Sequence, residues 1–471
     1  MGSHITYYFD KNVYLAKSWE EILDENVNEF NKKHANVMIN GKNRIMRLEP
    51  GTSISEGRMT YAFFARNELS KVYDNTKILT LGKEYVHKPS ILEYKNIFMA
   101  WVTNPRARTY IGGVVFLPGK KANDGYFNTW MGFGVEPNKD SRLFKSINFH
   151  IKNVICSGDS DLYNYFMSWI AYTIQNPDKQ AGVAVVLRGE KGTGKSIVGH
   201  FLRKIWGNHG LHITNPKHLV GNFNGHLADT CFLFADEAFF AGDKANENLL
   251  KGLVTEPMFI IERKGLDATQ QPNYLKILMV TNAEYVVPVS RDERRYCVID
   301  VSRLYTEPEK NSRYFEILTK YLDDPRVSSA FLYEMQNYDL SNWDIRVIPE
   351  SRGLRDQRYH SMNSVQHWLA DSLKNGTFDT SVSNNYGISW LESITTEQLY
   401  KSYLEWSTGA RRGEYGREVP ECVMSEYLGK IYVKEKRVEG TQKRGITFGT
   451  LENAVELFET YEKVSLEELP E

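Results

Sequence analysis

Cysteine is scarce in this chain. There are four in 471 residues (Cys156, Cys231, Cys297 and Cys422), set far apart and without the paired spacing of a metal knuckle. That excludes a disulfide-stapled scaffold and suits reduced thiols in a cytosolic setting, so a cytoplasmic protein is expected. No apolar run approaches the roughly 20 residues of a membrane-spanning helix, and no membrane partner is expected. Surplus charge of either sign is also missing, with 58 Lys and Arg against 59 Asp and Glu. A nucleic-acid surface cannot then be a property of the whole molecule; any basic surface must be local, such as a channel lining. What remains, 41% hydrophobic and 25% charged residues, is the composition of an ordinary globular chain, long enough for about three domains. Residues 1–4, Met-Gly-Ser-His, read as a cloning scar, which leaves open a natural start further upstream.

Against these absences stands one dense signal, Gly189-Glu190-Lys191-Gly192-Thr193-Gly194-Lys195-Ser196. It has the Gly-x-x-x-x-Gly-Lys-Ser form of a phosphate-binding loop. The apolar run Val183 to Leu187 before it predicts a buried strand, and the spacing from Ile197 to Trp206 predicts a helix. Together they make an anion site, because unpaired backbone N–H groups and the positive helix end point at the same place. In such a site Lys195 reaches the β and γ phosphates of ATP and the Ser196 hydroxyl ligates Mg²⁺. A chance glycine-rich turn would lack these flanks.

Two further strands carry polar tips. Cys231 to Ala235 is apolar and ends in Asp236-Glu237, which puts two carboxylates at a strand's C-terminal end, where open α/β sheets bind ligands. In a nucleotide hydrolase Asp236 holds Mg²⁺ and Glu237 orients or deprotonates the attacking water. Leu275 to Val280 ends in Thr281-Asn282; the amide is either a γ-phosphate sensor or a simple cap. Between them, Phe259 to Ile261 turns at Glu262-Arg263-Lys264-Gly265, a hairpin with a basic tip or a solvated turn. Around a central hole, Arg263 and Lys264 would meet the phosphate backbone of single-stranded DNA. Arg294 and Arg295 precede the strand Cys297 to Ile299; one can complete a neighbour's phosphate site while the other pairs with Asp292 or Glu293.

The remainder is read more coarsely. Residues 5–138 form a mixed α+β module, with helical spacing from Val13 to Phe30 and an Asn40-Gly41 hairpin signal. Its aromatic stretch from Tyr110 to Val135 either stacks on bases or packs between domains. Residues 139–180 are helical, a collar for oligomerisation or a cover for the core. The core spans 181–305, and a helical lid and linker follow over 306–358. The last domain, 359–471, has helical blocks at Val365 to Leu373, Thr396 to Trp406 and Val423 to Ile431, then two strand-like runs around Gly440, which describe a winged-helix module. Basic residues at the wing, Lys434, Lys436, Arg437, Lys443 and Arg444, suit phosphate contacts, and a role in protein contact fits as well.

The order of these parts resembles the superfamily 3 AAA+ helicases, with motifs at Gly189 to Ser196, Asp236-Glu237, Lys251 to Lys264, Asn282 and Arg294-Arg295. More narrowly it resembles the helicase portion of phage and plasmid D5-like primase-polymerases. The resemblance implies a hexameric ring that hydrolyses ATP between subunits and translocates on single-stranded DNA, by family habit 3′ to 5′. It also implies a primase or polymerase domain or other replication proteins as partners. By this resemblance Lys264 is the DNA-contacting hairpin residue, Asn282 the sensor and Arg295, directly before the strand, the arginine finger. Two departures stand out: Thr281 replaces a common Ser, and residues 5–138 hold no paired-carboxylate polymerase motif, so primase activity is not expected of this chain. Other readings from the same residues are a protein-remodelling ATPase and a replication initiator that uses the nucleotide as an assembly switch.

Overall fold

A computed structural model describes residues 19–51, 57–81, 92–215, 217–220, 224–238, 244–263, 267–378, 390–408 and 418–468. At its centre lie five parallel strands: β1 (Ala184–Arg188), β2 (Gly210–Ile213), β3 (Phe232–Asp236), β4 (Lys276–Thr281) and β5 (Tyr296–Asp300), in the order β2-β3-β4-β1-β5. Every residue of β4 is buried, as expected for a parallel strand covered on both faces. Alternation along the strands divides the interior into two layers. Val185, Leu187, Phe234 and Leu278 face one layer, and Ala184, Val186, Leu233 and Met279 the other.

The first layer is filled by the helices Ser160–Gln175, Lys195–Trp206, Pro308–Asp323 and Pro325–Gln336. Segment 139–180, read as a collar or a cover, packs on the chain's own sheet: Phe166, Trp169, Ile170 and Ile174 are buried in the core, and Trp169 Nε1 donates to Val183 O at 3.0 Å. Helical periodicity identifies an apolar stripe but not what it packs against. The lid is likewise integral, with Leu318, Leu322, Val327 and Phe331 buried in the same layer.

The N-terminal module is a four-stranded sheet with strands His34–Ile39 and Lys42–Pro50 at its centre. Asn40 and Gly41 both have positive φ, 48° and 73°, the conformation a two-residue hairpin turn requires. The module is bound to the core. Arg58, 3% exposed, donates to Asn208 O at 2.5 Å and pairs with Asp229 at 2.9 Å. Gly134 lies so close to the Lys195–Trp206 helix end that a Cβ there would sit 2.3 Å from Lys204 O. The aromatic stretch is used in packing: Trp130 stacks on His209 at 4.4 Å and Phe133 meets Trp206 at 5.1 Å.

The C-terminal domain has its own core around Trp368, Leu369, Tyr403, Met424 and Phe458. The helices Ser364–Asn375, Thr396–Thr408 and Glu421–Ile431 fall where the spacing put them. A third strand, Ser393–Thr395, joins Val433–Glu435 and Gly445–Thr447 in the sheet; three residues are too few to give a readable alternation.

Candidate phosphate site

The glycine loop leaves the C-terminal end of β1 and enters the Lys195–Trp206 helix. Gly192 and Gly194 are left-handed, φ 78° and 86°, which a side chain would strain. Gly194 is also hemmed in, since a Cβ would meet Phe315 Cε1 at 2.5 Å and His150 Cε1 at 2.8 Å. Lys195 is 5% exposed. Its Nζ donates to Gly189 O at 2.7 Å, Glu190 O at 2.5 Å, Thr193 Oγ1 at 3.2 Å and Asn282 Oδ1 at 3.0 Å. Desolvation lowers its pKa, against the pull of Glu237, Asp236 and Glu190. A buried ammonium satisfied by carbonyl and hydroxyl dipoles, with no carboxylate in direct hydrogen bond, is suited to receive an anion.

The carboxylates sit opposite. Asp236 pairs in register with Val280, so the tips of β3 and β4 lie side by side. His212 beside it and the Ser196 hydroxyl hold the Asp236 carboxyl below its ordinary range despite burial. Glu237 is left-handed, φ 54°, an uncommon conformation for a residue with a side chain. It is fixed by its own N–H to Val280 O at 2.9 Å, and by its carboxylate, which accepts from Asn282 N at 2.8 Å and Thr281 Oγ1 at 3.2 Å. Asn282 therefore joins the two halves: its backbone binds Glu237 while its side chain binds Lys195. These groups and Phe315 line a cavity of about 400 Å³. Hydroxyl and carboxylate oxygens at Ser196 and Asp236 are the hard donors a Mg²⁺-class cation takes.

The arginine pair divides. Arg295 Nε donates to Glu293 Oε1 at 2.8 Å, and the same oxygen accepts the backbone N–H groups of Arg294 and Arg295. The Glu293 side chain is 1% exposed, so Arg295 neutralises a buried carboxylate in its own subunit. Arg294 is exposed, and among the described residues its guanidinium has no hydrogen bond or ion pair. Both lie at the opposite end of the sheet from the phosphate loop. Tyr296 pairs with Ala184 and Asp300 with Arg188, so at about 3.3 Å per residue they are on the order of 20 Å from their own loop.

Lys264 lies outside the described residues. Strands Met258–Ile261 and Thr269–Pro272 do pair as a hairpin, with Ile261 opposite Thr269. Arg263 departs from the basic tip expected of it: its guanidinium lies over the Phe63 ring of the N-terminal module at 5.8 Å, burial lowers its pKa, and its Cγ fills the space a Cβ at Gly225 would need, 2.8 Å away. The hairpin and the N-terminal sheet enclose a cleft of about 600 Å³ there, larger than the phosphate cavity. Sequence reasoning missed three neighbours of the phosphate loop. His150, fully buried, meets Tyr314 Oη at 3.0 Å and Gly194 O at 3.3 Å, and Phe315 closes over the loop. No local pattern marks these contacts, whose partners lie 44 residues apart for His150 and Gly194 and 164 apart for His150 and Tyr314.

An open parallel sheet with a glycine loop at a helix N-terminus, paired carboxylates at the tip of β3 and an asparagine at the tip of β4 between them defines the class of site. Residues 187–295, from the end of β1 to the arginine pair, match a family of unknown function (DUF5906). The chain is related to the DNA primase-polymerase of Nitratiruptor phage NrS-1, with 24% identity over 263 residues, 52% of this chain and 36% of that protein. It thus spans about a third of the length of this curated relative. In fold it is similar to the solved C-terminal region of NrS-1, with a TM-score of 0.60 at 17% identity over 89% of this chain and 97% of that one. A second apo form of the same region gives a TM-score of 0.58 at 16% identity with the same coverage. Among the described residues no helix is long and apolar enough to cross a membrane.

Proposed function

We propose that this chain is an AAA+ ATPase of the superfamily 3 type, acting in phage DNA replication as a helicase that assembles as a ring on single-stranded DNA, six subunits by the resemblance, and hydrolyses ATP with Mg²⁺ at its subunit interfaces. One observation carries the reading: Lys195, Ser196, Asp236, Glu237 and Asn282, drawn from three segments, converge on one cavity at the C-terminal ends of parallel strands. The relative's description as a DNA primase-polymerase and the likeness to its C-terminal fold support it. That protein's polymerase activity is not carried over to a chain spanning a third of it.

The residues divide the work. Lys195 exchanges loop carbonyls and Asn282 Oδ1 for phosphate oxygens, which frees the Asn282 amide to contact the γ-phosphate. Glu237, held by Thr281 and Asn282, is positioned by the same strand tip that senses the phosphate, and it accepts the proton of the attacking water. Ser196 and Asp236 would hold Mg²⁺, which would supply neutralisation of the phosphate charge that develops in the transition state. Arg294, remote from its own site and with no hydrogen bond or ion pair to its guanidinium among the described residues, is the residue we assign to a neighbour's phosphate. Arg295 holds the segment in place.

The exposed basic wing favours a second reading, an initiator that binds duplex DNA. Lys434 on the strand Val433–Glu435, and Lys436, Arg437 and Arg444 in the connection from it to Gly445–Thr447, are all exposed in a domain we read as a winged helix. Steady-state ATP hydrolysis with and without oligonucleotides separates the two. A helicase is stimulated by single strands, and Lys195→Ala removes that turnover; an initiator responds to duplex DNA with slow or no turnover. Indifference to both would overturn each reading.

A further inference from the structure

Beside the phosphate cavity, and not used by it, stand two histidines. His200, His212 and Asp236 offer ligand atoms that all lie within 4.8 Å of one another, and they are the one group of three or more His, Cys, Asp and Glu so placed among the described residues. Three elements bring them together. His212 on β2 pairs in register with Phe234 on β3, and Asp236 is two residues beyond Phe234, so all three project from one sheet face. The Lys195–Trp206 helix lies against that face at Gly199, where a Cβ would meet the Phe234 ring at 2.3 Å, and the next residue is His200. Phe234 orients both imidazoles: His212 stacks on it at 4.6 Å and His200 meets its edge at 5.1 Å.

His212 Nε2 is a buried atom without a hydrogen-bond partner among the described residues, 3.8 Å from Asp236 Oδ2 and so beyond hydrogen-bond reach. We propose that His200, His212 and Asp236 form a binding site for a zinc-class transition-metal ion, and that this ion takes from the phosphate site the carboxylate its Mg²⁺ needs. Two imidazoles and a carboxylate are the donor set of open zinc sites, whereas Mg²⁺ prefers oxygen donors alone. Bonds of about 2.0–2.1 Å at tetrahedral angles place ligand atoms about 3.4 Å apart, so the set closes by roughly 1 Å of side-chain motion. Exposed His200 provides the entry path. Site occupancy then inhibits nucleotide turnover; this half of the proposal rests on the ATPase reading, whereas metal binding does not.

The test titrates Zn²⁺ into the nucleotide-free full chain against a chromogenic chelator. Cys422→Ser serves as the background, because Cys422 is the exposed thiol among the four cysteines. The expected result is one Zn²⁺ per chain, weakened about tenfold or more by His200→Ala, whose surface position leaves the fold unstrained. Equal binding by the background protein and His200→Ala would overturn the site. In a second arm Zn²⁺ slows Mg²⁺-dependent hydrolysis, and His200→Ala resists it at unchanged basal rate. Inhibition identical in both proteins overturns the shared carboxylate. Zinc binding in a protein without any ATPase activity sinks the proposed function and leaves the metal site standing.

Discussion

The two ends of the parallel sheet treat their cations in opposite ways. At the C-terminal end Lys195 is buried and fully engaged by loop carbonyls, Thr193 and Asn282. At the N-terminal end Arg295 is committed to buried Glu293, while Arg294, one residue away, is exposed with no ion pair among the described residues. In the function proposed above, a lysine wrapped in replaceable dipoles and an exposed arginine with no ion pair among the described residues are complementary halves of one site, divided between two molecules. The distance on the order of 20 Å from the arginine pair to the phosphate loop keeps a single subunit from using both on one phosphate.

The comparison is broken most severely by removing either cation. Lys195→Ala lowers ATP turnover by about 10³-fold or more and weakens nucleotide binding, whereas Arg294→Ala costs about 10³-fold in turnover with binding nearly unchanged. Steady-state hydrolysis paired with binding of a fluorescent ATP analogue distinguishes them, and equal loss of binding in both would erase the distinction between the ends. Gly194→Ala should be next, because it strains a left-handed position and drives a methyl into Phe315 and His150. Turnover and thermal stability are expected to fall together, and an unchanged Tm would show that the lid does not seat on the loop. Arg295→Ala exposes no phosphate to loss but leaves Glu293 uncompensated. A stability cost of about 1–3 kcal/mol in denaturant unfolding is expected, with turnover per folded molecule within a few fold of wild type.

The smallest effect concerns pH. Burial pushes the His150 and His209 imidazoles down to about 4 despite their backbone hydrogen bonds, to Gly194 and Asp229. The unfolded chain, with histidines near 6.5, binds more protons between these values. Stability is therefore full above about pH 6.5 and is lost as pH falls toward 4. His150→Gln should reduce the slope of Tm against pH in that window, and an unaltered slope would remove His150 from the account.

The parts legible in the sequence are those whose chemistry is local. The glycine loop, the Asp236-Glu237 tip and Asn282 each sit at the end of an apolar run, and the parallel sheet delivers all three to one cavity because strand ends converge. The Asn40-Gly41 turn was legible for the same reason. What periodicity could not supply is the identity of a packing partner. Residues 139–180 and the Tyr110–Val135 aromatics have patterns compatible with interfaces, but they are spent on the chain's own core. Which of Arg294 and Arg295 turns toward buried Glu293 was hidden too, since the two are adjacent in the sequence. Arg263 looked basic and exposed beside Lys264, and only the fold places Phe63 beneath it. His200 and His212 lie on different elements and are joined by a helix–sheet contact that Gly199 permits.

The central claim is that each phosphate site is completed by Arg294 of a neighbouring subunit, and it is tested most directly by mixing two inactive proteins. Lys195→Ala and Arg294→Ala, each alone, should hydrolyse ATP at background rate; combined in equal amounts with single-stranded DNA, they form interfaces in which an intact Lys195 loop faces an intact Arg294. Recovery of a substantial fraction of wild-type turnover is the predicted result. No recovery from a mixture shown by light scattering to co-assemble would contradict it.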